Sequence, residues 1–234
     1  MERKLNSFLQ NSAFFGIVMS IFAYGVGCLI RKKSGFAILN PLLISILMVI
    51  AVLKFGKIDY KAYYSGVEFL NWLLTPATIC LAIPLYENIQ LLKNNWKALA
   101  AGIGSGVVTS ALCVFFLSHL FQLKHAEYVT LLPKSITTAI GIGVSEELGG
   151  YVTITVAIII VTGILGNIFA EPICRTAGIR NPVARGVAIG TSSHAIGTSK
   201  AMEMGKIEGA ISSLSLVVTG LLTVISASFM AKFI

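Results

Sequence analysis

Two stretches, Ala98 to Phe121 and Tyr151 to Ala170, contain not one Asp, Glu, Lys or Arg. Each approaches or exceeds the roughly 20 apolar residues needed for a helix to cross the hydrocarbon of a bilayer. Phe14 to Ile30, Phe36 to Leu53 and Ala210 to Phe233 have nearly the same character. Only 12% of the 234 residues are charged and 56% are hydrophobic, where a soluble domain carries about 25% charged residues. The expected fold is therefore all-α: a polytopic integral membrane protein of about seven to eight hydrophobic segments in a single domain, residues 1–234. Apolar runs recur to the C-terminus, so the first is expected to be a retained segment and not a cleaved signal.

Three segments are interrupted. Val67 to Tyr86 contains Pro76 and Pro84, and Val129 to Val144 contains Pro133 and Lys134. The third, "GTSSHAIGTSKA" from Gly190 to Ala201, packs two glycines, five hydroxyls, a His and a Lys into an apolar neighbourhood. Pro removes a helical donor and Gly is a poor helix former. Helix breaks are thus expected at Pro76, Pro84, Pro133, Gly190 and Gly197, and some segments are expected to be re-entrant. Backbone freed at membrane depth is tolerated only where protein buries it or a wet cavity solvates it. Pro-marked strings near "ILNPLLIS" and "TLLPKSIT", each followed by a broken segment and a small-residue helix, suggest an internal repeat.

The net charge of +8 comes from Lys and Arg clustered between apolar runs, as in Arg31 to Lys33. Topology and an anionic lipid surface explain that pattern, so nucleic acid is not an expected partner. Lys93, Lys97, Arg175, Arg180 and Arg185 would lie on the cytoplasmic side, with an external N-terminus and one re-entrant segment accommodating most charges. Cys28, Cys80, Cys113 and Cys174 form no CxxC pair and are expected to be core packing, not metal ligands. No metal site or cofactor is expected. The chain lacks GxxxxGK[ST], GxSxG and HExxH. Ser193 with His194, and Lys134 with Ser135, are adjacent pairs that point about 100° apart on a helix, so no ready nucleophile and base arises and no enzyme is expected.

Lys134 sits in an apolar segment and needs a partner. A lysine at the bilayer centre costs about 2.5 to 3.5 kcal/mol on insertion scales, and an anionic ligand would supply the missing charge. The hydroxyls of Ser135, Thr137, Thr138, Thr191, Ser192 and Ser193, together with His194, complete the candidate anion site, helped by unwound helix ends. Each has a plainer reading: Lys134 snorkels to nearby water, and the hydroxyls and His194 satisfy backbone carbonyls. His194 and the adjacent Glu146 and Glu147 are candidates for proton coupling, the two glutamates doubling as a solvated segment end before Gly149 and Gly150. Gly102 and Gly106 have the spacing that lets helices approach closely.

"LLPKSITTAIGIGVSEELGG" (Leu131 to Gly150) and "ARGVAIGTSSHAIGTSKAMEMGKIEGAISSLSLV" (Ala184 to Val217), preceded by "LNPLL" and "LAIPLYEN", closely resemble the LrgB/CidB family of bacterial membrane proteins. One departure is Ala139, where relatives often carry a Pro. The resemblance implies a multi-pass protein of the bacterial cytoplasmic membrane. It also implies a small organic anion as ligand, since relatives are implicated in pyruvate transport and a plastidial glycolate/glycerate translocator contains a similar half. It further implies a LrgA/CidA-type membrane protein as partner, beside the lipid bilayer and a second copy of the chain as a further candidate. The expected function is ion-coupled or gradient-driven transport of small monocarboxylates such as pyruvate or glycolate. The alternative the resemblance carries is an antiholin-like regulator of murein hydrolase activity and lysis, without transport of its own.

Overall fold

The computed structural model describes residues 14–34, 39–73, 76, 79–80 and 82–234. Every regular element among them is helical. Internal contacts group the chain into two compact units, residues 1–80 and 81–234, each considered by itself.

The first unit holds α1 (Phe15–Ser34), α2 (Pro41–Phe55) and α3 (Tyr60–Trp72). Asn40 caps α2, its side chain accepting the Leu42 amide at 2.8 Å, with Pro41 supplying the preset φ of the first turn. Gly27 lets the α1 backbone lie against Pro41, where a Cβ would meet the Pro41 carbonyl at 2.6 Å. The tyrosines of α3 pack on one another, and Tyr63 bonds Ser20 of α1 at 2.8 Å. Pro76 is exposed in this unit, and its neighbours lie outside the described residues.

The second unit begins with α4 (Ala82–Glu87) and α5 (Ile89–Asn94), then α6 (Trp96–Leu120), α7 (His125–Leu131), α8 (Thr138–Glu147), α9 (Val152–Thr176), α10 (Pro182–Met204) and α11 (Lys206–Met230). Pro84 lies within α4 as described, and Leu81, just before that helix, lies outside the described residues. The break in this region comes at Asn88.

Helices α7 and α8 form a hairpin. Thr130 and Ser145 are fifteen positions apart, about 22 Å on a continuous helix. Yet Thr155 Oγ1 donates to the Thr130 carbonyl at 3.0 Å and lies 2.7 Å from Ser145 Oγ. Residues Leu132 to Thr137 make the non-helical tip, with Pro133 buried in it.

Helix α10 doubles back in the same way. Ser193 (φ −134°, ψ 15°) and His194 (φ 41°, ψ −146°) are non-helical, and the arms on either side touch. Ile189 packs on Ala201 and Ala170, although twelve residues would span about 18 Å on an unbroken helix. Both arms reach one residue of α11: Thr198 Oγ1 is 2.9 Å from Ser212 Oγ, and a Cβ on Gly190 would run into the Ser212 carbonyl. The reversal thus falls at Ser193 and His194. Gly190 and Gly197 flank it inside the arms, where their lack of a side chain permits close packing.

The two hairpins enter from opposite ends. Tyr128 of α7 donates to the Met230 carbonyl near the end of α11, at 3.1 Å, and His125 lies 3.0 Å from the Ile234 carbonyl. Arg185 and Lys200 of α10 pair instead with Glu208, at the start of α11, and Glu171, near the end of α9. The tips meet at mid-depth: a Cβ on Gly141 would strike Ile159, whose carbonyl His194 Nε2 contacts at 2.8 Å. A long helix followed by a helical hairpin therefore occurs twice with reversed entry, α6 with α7/α8 and α9 with α10. The outgoing arms even echo each other, Ala139-Ile140-Gly141 matching Ala195-Ile196-Gly197. This repeat differs in phase from the one suggested by the Pro-marked strings, whose first half runs through residues outside those described.

Phe15–Ser34, Trp96–Leu120, Val152–Thr176 and Lys206–Phe233 are long and apolar enough to cross a membrane, and Pro41–Phe55 is a shorter apolar helix. Two of the interrupted segments are hairpins, which is why the count of hydrophobic runs exceeds the count of long helices. The long helices present Phe116, Leu117, Val161, Leu165, Leu221 and Phe229 outward, a lipid-facing surface too apolar for water. Cys28, Cys80 and Cys113 are exposed and only Cys174 is buried. Core packing accounts for one cysteine, not four: an apolar run can face outward as readily as the core, and Cys113 borders a groove on α6.

Candidate functional site

The α10 hairpin is fixed at its root by Asn181, whose side chain accepts the amides of Val183 at 2.8 Å and Ala184 at 3.2 Å, with Pro182 next to it. That cap launches the incoming arm along α6. Where the two meet, α6 carries Gly102, Ser105, Gly106, Thr109, Ser110 and Cys113, spaced to form one small, polar face. Gly106 allows Thr191 to approach so closely that a Cβ would sit 2.9 Å from its hydroxyl, and Gly102 does the same for Val187. The close-approach reading of these glycines is borne out.

Between this face, the incoming arm and the tip of the α7/α8 hairpin lies an open groove of about 740 Å³. Asn95 and Asn181 stand at its mouth, and Lys134, Ser135, Thr191 and Ser192 line its inner end. A second groove of about 340 Å³ lies on the other side of the same arm, against α9, and includes Lys134, Ser192 and Ser193. Lys134, Ala188 and Ser192 border both. The lysine thus stands where the two grooves converge, at the level of both broken tips.

Lys134 is half-buried and donates to Ser135 Oγ at 3.0 Å, which in turn is 3.3 Å from Ser110 Oγ. Among the described residues no carboxylate pairs with it. The acidic groups around the root of the α10 hairpin pair with Arg185 and Lys200 there: Glu208 of α11 with Arg185, and Glu171 of α9 and Glu203 of α10 with Lys200. A cation with one neutral acceptor, where a groove bearing several hydroxyls meets a second one, has the chemistry to pair with an anion.

The other sequence candidates separate into three groups. Thr191 and Ser192 line the groove but also bond back to Val187 and Ala188 carbonyls, at 2.8 and 2.7 Å, so both hydroxyl protons are occupied and only acceptor capacity remains on their oxygens. Ser193 is 2.9 Å from Ser192 and borders only the second groove. Thr137 and Thr138 start α8, half-buried, and His194 is buried; none of the three lines either groove. Because a carbonyl only accepts, His194 Nε2 carries the proton and ties the tip to Ile159 of α9. Gly163 and Gly166 make room: a Cβ on Gly163 would meet the imidazole at 2.5 Å, and one on Gly166 would overlap Ser193. Glu146 and Glu147 end α8, exposed, with Gly149 at φ 79° turning the chain behind them. They stand at the hairpin root, apart from both grooves. Among the described residues no cluster of His, Cys, Asp or Glu is arranged to hold a metal ion.

Sequence reasoning missed Ser105, Thr109 and Ser110. Their signal was present as a helical face shared with Gly102 and Gly106, which reading the glycines alone did not reveal.

Residues 20–233 match the LrgB-like family. The chain is 35% identical over 222 residues to the antiholin-like protein LrgB of Bacillus cereus strain B4264, covering 94% of this chain and 96% of that one. The same figures hold for the protein of that name from Bacillus anthracis strain A0248. No solved structure matches the chain.

Proposed function

The chain belongs to the LrgB-like family, and from that premise we propose that it is a membrane transporter, or the transporting subunit of one, for small monocarboxylates such as pyruvate or glycolate. The observation that carries the reading is the convergence of two oppositely entering hairpin tips on Lys134, a cation with no carboxylate partner among the described residues. Re-entrant backbone at mid-depth, repeated in inverted order, is the arrangement in which a substrate site can be offered to either side of a membrane by a modest shift of one repeat. The carboxylate sits at Lys134, the hydroxyls of Ser135 and Ser110 reach its second oxygen or a neighbouring keto or hydroxyl group, and the Thr191 and Ser192 oxygens accept from a hydroxyl donor.

Lys93, Lys97, Arg175, Arg180, Arg185 and Lys206 gather at the end where the groove opens, against Lys124 and Lys232 at the other. Under the positive-inside rule the groove faces the cytoplasm, in the bacterial inner membrane. The remaining short helices bring the crossings and partial crossings to seven or eight. Transport is driven by an ion gradient or by the substrate's own gradient, with a LrgA/CidA-type protein as the membrane partner.

The name shared by the relatives favours a second reading, an antiholin-like regulator of murein hydrolases that transports nothing. Uptake of labelled pyruvate, lactate and glycolate into proteoliposomes, with and without a LrgA-type subunit, separates the two. Saturable uptake blocked by excess unlabelled monocarboxylate supports transport. Its absence in both preparations, with murein hydrolase activity still dependent on the chain, leaves the regulator.

A further inference from the structure

Beyond the Ser110–Ser135 contact lies a narrow cleft of about 10 Å³, bounded by α6, the α7/α8 tip and α11. Ser110 and Ser135 line both this cleft and the large groove, so the two are separated by little more than that 3.3 Å pair. On the far side the cleft continues along α11 through Thr219, Thr223 and Ser226 to Met230. These four share one helical face and lead toward the end opposite the groove mouth, where Tyr128 meets the Met230 carbonyl. The adjoining face of α11 presents Val217, Leu221 and Ile225 outward.

Thr219 is 2% exposed, and its Oγ1 has no hydrogen-bond partner among the described residues. Buried hydroxyls are normally paired. The space beside it, about 10 Å³, is at the lower limit for one water molecule, so this arrangement leaves the Thr219 hydroxyl without a protein partner and with little room for solvent. Leu132, Ala227 and Met230 line the cleft with apolar side chains, of which Leu132 and Met230 have rotatable bonds that could clear it.

Resting on the transport reading above, we infer that this cleft is the collapsed outer half of the anion's path. The route from Lys134 to the opposite end runs between the α7/α8 hairpin and α11, past Thr219, Thr223 and Ser226, and opens when the Ser110–Ser135 contact parts. In the open arrangement water reaches the Thr219 hydroxyl, and the three hydroxyls stand in for the carboxylate's hydration shell along the way.

The test is cysteine accessibility in proteoliposomes, in a background that retains uptake and in which Cys28, Cys80 and Cys174 are replaced by Ala, while Cys113 of the groove is kept and labelling is read as the increment over that background. Thr219→Cys and Ser226→Cys are compared with the lipid-facing control Leu221→Cys, using a charged, membrane-impermeant thiol reagent applied from one side at a time. The expected result is that both path cysteines react from the end opposite the groove mouth, roughly ten-fold or more faster than the control, because the thiolate forms only where water reaches it. Modification at Thr219→Cys stops uptake, and a substrate gradient changes its rate. Uptake with both path cysteines no more reactive than Leu221→Cys overturns the path and leaves the transport reading intact. Lack of uptake in the parent protein overturns both.

Discussion

Lys134→Met removes one charge and little else. Met keeps most of the length and apolar bulk of the lysine stem, and the wild-type ammonium has one neutral acceptor, Ser135 Oγ at 3.0 Å, with no carboxylate partner among the described residues. Two magnitudes then act in opposite directions. For the fold, a lysine at membrane depth costs about 2.5 to 3.5 kcal/mol on insertion scales, part of which returns when the charge goes, offset by roughly 1 kcal/mol for the lost bond to Ser135. The variant is therefore expected to melt at or above the wild-type temperature. For the ligand, losing a hydrogen bond to a charged group costs about 1.5 to 3 kcal/mol, a fall in affinity of about ten-fold to more than a hundred-fold. Lys134→Arg restores the charge but replaces a compact ammonium by a planar fork, so partial recovery is expected. Pyruvate affinity measured by calorimetry in detergent, beside a melting curve, reads both effects. Wild-type affinity in a well-folded Lys134→Met protein would refute the assignment, and a collapse in stability would mean that Lys134 is held by a partner the structure does not contain.

Gly166→Ala places a methyl group against Ser193; overpacking at the tip is expected to cost about 1 to 3 kcal/mol and to lower the melting temperature, whereas Gly143→Ala, where a Cβ meets nothing within 4 Å, should not. His194→Gln keeps a donor for the Ile159 carbonyl and removes the titration; since the imidazole lines neither groove, the pH profile of uptake is expected to stay as it was, and loss of that profile would return His194 to the coupling machinery. Single cysteines at Glu147 and Arg180, at the roots of the two hairpins, are expected to label from opposite sides of the membrane; labelling from the same side would contradict the inverted arrangement.

The long helices could be read from the sequence because hydropathy reports removal from water, and lipid satisfies that as well as a core does. Ala98 to Phe121 and Tyr151 to Ala170 anticipated α6 and most of α9 closely. The same reasoning misplaced the cysteines, since hydropathy does not distinguish lipid from protein. Breaks at Pro133 and in the Gly190 to Gly197 region were legible from residues that disfavour a helix. The reversal of direction at each break was not, because a kink and a hairpin tip share the same local signal. What separates them is long-range: Thr155 holding Thr130 to Ser145, and Ser212 meeting both arms of α10. His194 illustrates the limit from the other side. Its chemistry suggested proton transfer, while its neighbourhood, set by Gly163 and Ile159 some thirty positions away, makes it a tie between the tip and α9.

The central claim is that a small carboxylate rests on Lys134 where the two hairpin tips meet. Solid-state NMR of the protein in lipid, with ¹³C-carboxyl pyruvate and ¹⁵N-lysine, measures the distance between the carboxyl carbon and the lysine nitrogen directly. A charge-assisted hydrogen bond predicts a dipolar coupling corresponding to about 4 Å or less, present in the wild type and absent in Lys134→Met. Bound pyruvate with no lysine nitrogen in that range, or the same coupling in the Lys134→Met protein, would contradict it.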